Sequence, residues 1–108
     1  MSRSVRLIAA MLLLMASLTG AEQARPLSAE DYYYCGKAKY HNKDYSGAIE
    51  DYNKAAELAP DVAKIFGSRA AAKRKLGDKK GAIADAQQAA RLGDKKAQHI
   101  LRFLGYDW

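Results

Sequence analysis

The side chains in this sequence most often recruited as metal ligands, bases or nucleophiles are His41, His99 and the single cysteine, Cys35. Neither histidine has a carboxylate at metal-ligand spacing. His41 is expected at a helix end and His99 in a terminal helix, both solvated or half-packed. Cys35 can form no internal disulfide and supports no cysteine-based zinc cluster, so it is expected as a small buried apolar residue. Glu50 and Asp51 are adjacent, and on a helix they diverge by about 100 degrees, which prevents their working as a paired acid and base. The sequence contains no GxSxG, no phosphate loop and no HExxH. It offers no catalytic residue and implies no cofactor or metal, so it reads as a binding protein and not as an enzyme.

Binding chemistry is easier to find. Tyr33, Lys37 and Tyr40 are spaced by four and three residues, which places them on one stripe of a helix and combines rigid aromatic area with a cation. Recognition and plain surface packing both fit Tyr33 and Tyr40. Between Lys64 and Lys80 stand Lys64, Arg69, Lys73, Arg74, Lys75, Lys79 and Lys80 against Asp78 alone. Such a run is either a solvated helix face or an attractor for a carboxylate-bearing peptide or an anionic envelope polymer.

These groups must be carried by a small chain. The sequence has 108 residues, 49% of them apolar and 28% charged, which is the balance of an ordinary folded domain. Met1 to Ala21 has a basic start with Arg3 and Arg6, an apolar run from Leu7 to Leu18 and a small-residue exit, Thr19-Gly20-Ala21. That is the plan of a cleavable secretory signal, with cleavage expected after Ala21. The apolar run falls short of the roughly 20 residues needed to span a membrane, so an uncleaved inner-membrane anchor is the lesser alternative. Cleavage removes two arginines and no acid, which lowers the net charge from +6 to +4.

Shifting the sequence by 34 residues aligns Gly47, Ala48, Ile49, Asp51, Ala55, Ala56 and Leu58 with Gly81, Ala82, Ile83, Asp85, Ala89, Ala90 and Leu92. About one such identity would arise by chance over this stretch. Ala38 and Lys39 likewise align with Ala72 and Lys73, although the upstream halves have diverged further. Ser28, Asp44, Asp61, Asp78 and Asp94 recur at intervals of 16, 17, 17 and 16 residues. Each can cap a helix by accepting hydrogen bonds from its first free N–H groups. Gly77 and Gly93 are placed to end the preceding helices in a left-handed conformation. Ala48, Ile49, Tyr52, Ala55, Ala56 and Ala59 form an apolar stripe of helical period, repeated by Ala82, Ile83, Ala86, Ala89 and Ala90. The fold class is therefore all-α, built of five short helices in antiparallel hairpins.

On these residues the chain from Ala29 to Lys96 resembles two tetratricopeptide repeats, residues 29–62 and 63–96, after a linker at 22–28. A capping helix and tail follow at 97–108. The family's aromatic, small and proline positions look like Tyr32, Gly36, Ala48, Tyr52, Ala55 and Pro60 in the first repeat, with Cys35 and Lys39 as departures. In the second, Phe66, Ala70, Ala82, Ala86 and Ala89 fit, whereas Arg69, Lys73 and Asp94 replace apolar, aromatic and proline residues. The resemblance implies that Tyr32 packs inside while Tyr33, Lys37 and Tyr40 line a concave groove.

In the second repeat the resemblance implies that Ser68, Ala71 and Arg74 line the same groove, left shallow by Gly67 and Ala71. Some family members clamp a partner's terminal carboxylate with Lys, Asn and Arg. At the matching positions this chain has Tyr33, Lys37, Ser68, Gln98 and Arg102, so that mode is not expected. Ala97, Ile100, Leu101 and Leu104 are expected to cover the second repeat. Trp108 either packs as a plug or stays free as an anchor, which leaves the tail as an alternative binding surface.

The function this implies is a small exported adaptor or assembly factor, periplasmic in a Gram-negative bacterium, that binds a protein or peptide partner in its groove. It would bind no nucleic acid and would meet the membrane only transiently through its leader. A self-associating envelope scaffold, a homo-oligomer stacked through its repeat ends, is the alternative.

Overall fold

The computed structural model describes residues 25–108, so the leader expected at Met1 to Ala21 lies outside the described residues. Five helices follow one another: α1 Ala29–His41, α2 Tyr45–Leu58, α3 Ala63–Lys75, α4 Lys79–Arg91 and α5 Lys95–Leu104. No strand occurs among the described residues, and none of their helices is long and apolar enough to cross a membrane.

Local chemistry sets the helix ends. Ser28 opens α1 with a capping box, its Oγ accepting from Asp31 N while Asp31 accepts from Ser28 N. Asp44, Asp78 and Asp94 cap α2, α4 and α5 as expected. Asp61 does not cap α3: the helix starts one residue later, from Val62, with no side-chain cap. Val62 packs against the first core cluster, and that apolar contact fixes where the chain turns into α3.

The turns after α1, α3 and α4 share one hydrogen-bond pattern. Asp44 N, Asp78 N and Asp94 N donate to the carbonyls five residues back, each at 2.9–3.0 Å. The pivot residue is left-handed in all three: Gly77 (φ 83°), Gly93 (φ 98°) and, in the first hairpin, Lys43 (φ 64°). Each aspartate thus closes one helix with its backbone and opens the next with its side chain.

Helices α1 and α2 form the first hairpin and α3 and α4 the second; α2 also packs on α3, and α5 on α4. Tyr33, Ala48, Tyr52, Ala55, Ile65 and Ala72 make one buried cluster; Phe66, Ala89, Ala90, Ala97 and Leu101 make another. Ala56 touches both and joins them. The expected stripes on α2 and α4 therefore supply both cores. Cys35 departs from expectation and is exposed, because no described element covers that side of α1.

Candidate functional site

Helices α1, α3 and α5 line one side of the stack, with α2 and α4 behind them as a floor. Two cavities open along this side. The smaller, about 190 Å³, lies between α1 and α3 and is bounded by Lys37, Tyr40, His41, Tyr52, Ser68 and Ala71. The larger, about 560 Å³, lies between α3 and α5 over α4, within the range of ligand pockets. Ser68 and Ala71 line both, so α3 is their common wall.

The residues expected to bind a partner divide between these cavities. Lys37 and Tyr40 reach the smaller one, Arg74 the larger, and Ser68 and Ala71 both. Tyr40 also stacks edge-on against Tyr45 at 5.2 Å, so it packs and lines the notch together. Tyr33 is placed differently from expectation: it is only 7% exposed and belongs to the core. Its ring lies 5.9 Å from that of Tyr52, and Lys64 Nζ stands 4.8 Å above its centroid. Helix α3 closes over it, and Ser68 Oγ donates to its hydroxyl at 3.5 Å. Tyr33 is thus a core residue and does not line the notch. Burial of Tyr52 pushes its phenol up to about 12.

Two positions that break the repeat's apolar pattern are explained by a buried ion cluster. Arg69 Nε and Nη2 donate to the two carboxylate oxygens of Asp85 at 2.8 and 2.7 Å, and Lys73 Nζ lies 2.9 Å from Asp85 Oδ2. Asp85 is 5% exposed, and its hydrogen bonds hold the Arg69 guanidinium above its ordinary pKa. Arg69 Nη1 also donates to Asn53 Oδ1 of α2 at 2.9 Å, which links the two hairpins. In the first hairpin the counterpart is simpler: Lys39 Nζ lies 2.9 Å from Asp51 Oδ2. The basic run from Lys64 to Lys80 therefore does not all face solvent, because Arg69 and Lys73 turn inward to Asp85.

The residues named for a carboxylate clamp are engaged structurally. Gln98 Nε2 donates to Ala90 O at 2.9 Å, and the Arg102 guanidinium lies 5.4 Å from the Trp108 ring centroid. The tail folds back, tied by Gln87 Nε2 to Asp107 O at 2.8 Å, but Trp108 remains 39% exposed and lies against Arg102 without plugging a core. Ile100 and Leu104 cover the second hairpin only in part, at 44% and 54% exposure, and line the larger cavity. Ile83, Lys64 and Lys96 line it too and were not singled out from sequence as groove residues. The usable signal was the 34-residue register, which sets Gly67 opposite Tyr33 and Ala86 opposite Tyr52.

Residues 29–62 match the family model for the tetratricopeptide repeat. The chain is 40% identical over 74 residues to DnaJ homolog subfamily C member 7 from Mus musculus, covering 68% of this chain and 15% of that protein. It is 41% identical over 73 residues to small glutamine-rich tetratricopeptide repeat-containing protein 2 from Mycosarcoma maydis, covering 68% and 19%. With tetratricopeptide repeat protein 36 from Danio rerio it shares 30% over 82 residues, covering 67% and 44%. The chain thus spans less than half the length of each of these relatives.

Proposed function

The chain belongs to the tetratricopeptide repeat family, and from that premise we propose that it is a non-enzymatic adaptor or assembly factor. Its concave groove would hold an extended peptide or a helix of another protein. The observation that carries this reading is the 560 Å³ groove of the second hairpin, with Ala71, Ile83 and Ala86 on its surface and Arg74 at its edge. Export to the periplasm of a bacterial cell is part of this proposal and rests on the pattern of Met1 to Ala21 alone; the relatives above are eukaryotic.

The test is affinity capture of the tagged mature chain, beginning at Glu22, from an envelope extract, with a Lys37→Glu/Arg74→Glu double variant as control. A discrete protein enriched by the native chain and lost with the variant is the expected result. Equal capture by both overturns the groove reading. Capture of its own copies alone turns the reading to a self-associating scaffold, which one observation favours: Phe103 on α5 is 85% exposed.

A further inference from the structure

The 34-residue register allows each groove side chain of one hairpin to be set against its counterpart in the other. Tyr33 and Tyr52 fill the first hairpin, their rings 5.9 Å apart, and the 190 Å³ notch beside them is lined by Tyr52. The second hairpin has Gly67 and Ala86 at those two positions, and Ala71 where the first has Lys37. All three line the larger cavity. A Cβ built on Gly67 would meet nothing closer than Asp94 Oδ2 at 3.6 Å, so the space reaches down to the α3 backbone. The cavity is therefore the place where one hairpin lacks the tyrosine volume that the other holds.

Three cations stand at its edges, with one acid on the wall. Lys64, Arg74 and Lys96 line the cavity and are exposed, and none of them makes an ion pair among the described residues. The one acid on the wall, Asp94, is committed through Oδ1 to the first N–H groups of α5. Lys64 already sits over the face of Tyr33, which shows that a cation at this edge reaches an aromatic face. An apolar floor of aromatic size beneath three unpaired cations selects a definite kind of ligand.

We propose that this cavity receives an aromatic side chain of a partner segment whose neighbouring residues are carboxylates. The ring takes the place left by Tyr33 and Tyr52, while Lys64, Arg74 and Lys96 meet the flanking acids. This assignment rests on the groove reading above and specifies the partner chemistry that the groove accepts.

Fluorescence anisotropy of the folded mature chain with short synthetic peptides tests it. One probe is a glutamate-rich peptide with a single central tryptophan; the second replaces that tryptophan with alanine; the third replaces the glutamates with lysines. The tryptophan probe should bind about tenfold or more tighter than either of the others, the gain expected from burying one aromatic ring. Ala86→Tyr and Gly67→Tyr, which restore the first hairpin's residues, should each weaken that probe about tenfold while leaving the melting temperature unchanged or higher. Equal binding of the tryptophan and alanine probes, no binding of any probe up to about 1 mM, or undiminished binding by a folded tyrosine variant overturns the proposal. The peptide series needs no variant, so misfolding of one does not blunt the test. If the tryptophan preference fails while Lys37→Glu/Arg74→Glu still abolishes partner capture, the groove reading stands and only the aromatic assignment falls. If both fail, both readings fall.

Discussion

The two hairpins share the turn between their helices and the aspartate that caps the second helix of each, and they differ where their helices meet. In the first, Tyr52 is 1% exposed, and a methyl group on Gly36 would come within 2.6 Å of Tyr52 Cε1, so the aromatic ring and the bare backbone fit each other. In the second, Ala86 and Ala70 occupy the matching positions and the ring is gone. What replaces it lies off the concave side: Asp85 is held by Arg69 and Lys73, and Arg69 continues to Asn53. A hairpin whose helices are tied by an ion cluster can do without that tyrosine filling, and the open volume lies on the concave side proposed to meet a partner. The first hairpin thus fills the volume between its helices with tyrosine, and the second leaves it open as the cavity proposed above to receive a partner.

The sharpest way to break this comparison is to remove the filling. Tyr52→Ala should cost about 3–5 kcal/mol in urea unfolding, against about 1 kcal/mol for Ala86→Gly. Similar losses at the two sites would contradict it. Next comes the ion cluster: Asp85→Ala leaves two cations partly buried and should cost about 3 kcal/mol, whereas Asp51→Ala, which frees a half-exposed Lys39, should cost clearly less.

Alkaline titration separates the hairpins by another route, since residues 63–96 contain no tyrosine. The Tyr52 phenol titrates higher in the folded chain than in the unfolded one. Its contribution is therefore complete below about pH 10 and is lost as pH rises toward about 12. Thermal melting should show a loss of about 2 kcal/mol across that interval, and Tyr52→Phe should remove this part of the loss.

Gly36→Ala should cost about 1–3 kcal/mol by overpacking, and the penalty should shrink in a Tyr52→Ala background to the part set by the Ala48 carbonyl 3.2 Å away, as a double-mutant cycle would show. The smallest effect concerns the turns. Lys43→Gly should stabilise by about 1 kcal/mol and Gly77→Ala should destabilise by a similar amount, because both positions are left-handed and only one holds a glycine.

Much of this organisation was legible in the residues. The repeat, the five helices and four of the five caps follow from the 34-residue register and from Ser and Asp at regular intervals. Asp61 was misplaced because capping chemistry alone ignores Val62, whose packing on the core decides the start of α3. The burial of Tyr33 and the exposure of Cys35 were missed for a related reason: which side of α1 is covered depends on α3, a contact between residues 35 positions apart in the case of Tyr33 and Ser68. Arg69 and Lys73 looked like decay of the pattern, although Asp51 and Asp85 among the repeated identities already supplied the acids that pair with Lys39 and Lys73. A cation and an acid repeated together across a hairpin are a contact in themselves.

The most direct test of the receptor role is photocrosslinking from inside the cavity. A benzoylphenylalanine placed at position 71, on the wall shared by both cavities, is compared with one at position 103 on the exposed side of α5. On irradiation in an extract from the source cells, the probe at 71 should capture one discrete protein, and an excess of the acidic tryptophan peptide should suppress that capture. Crosslinking from position 103 alone, or from position 71 with no effect of the peptide, would contradict the claim that the emptied half of the repeat pair is where the partner binds.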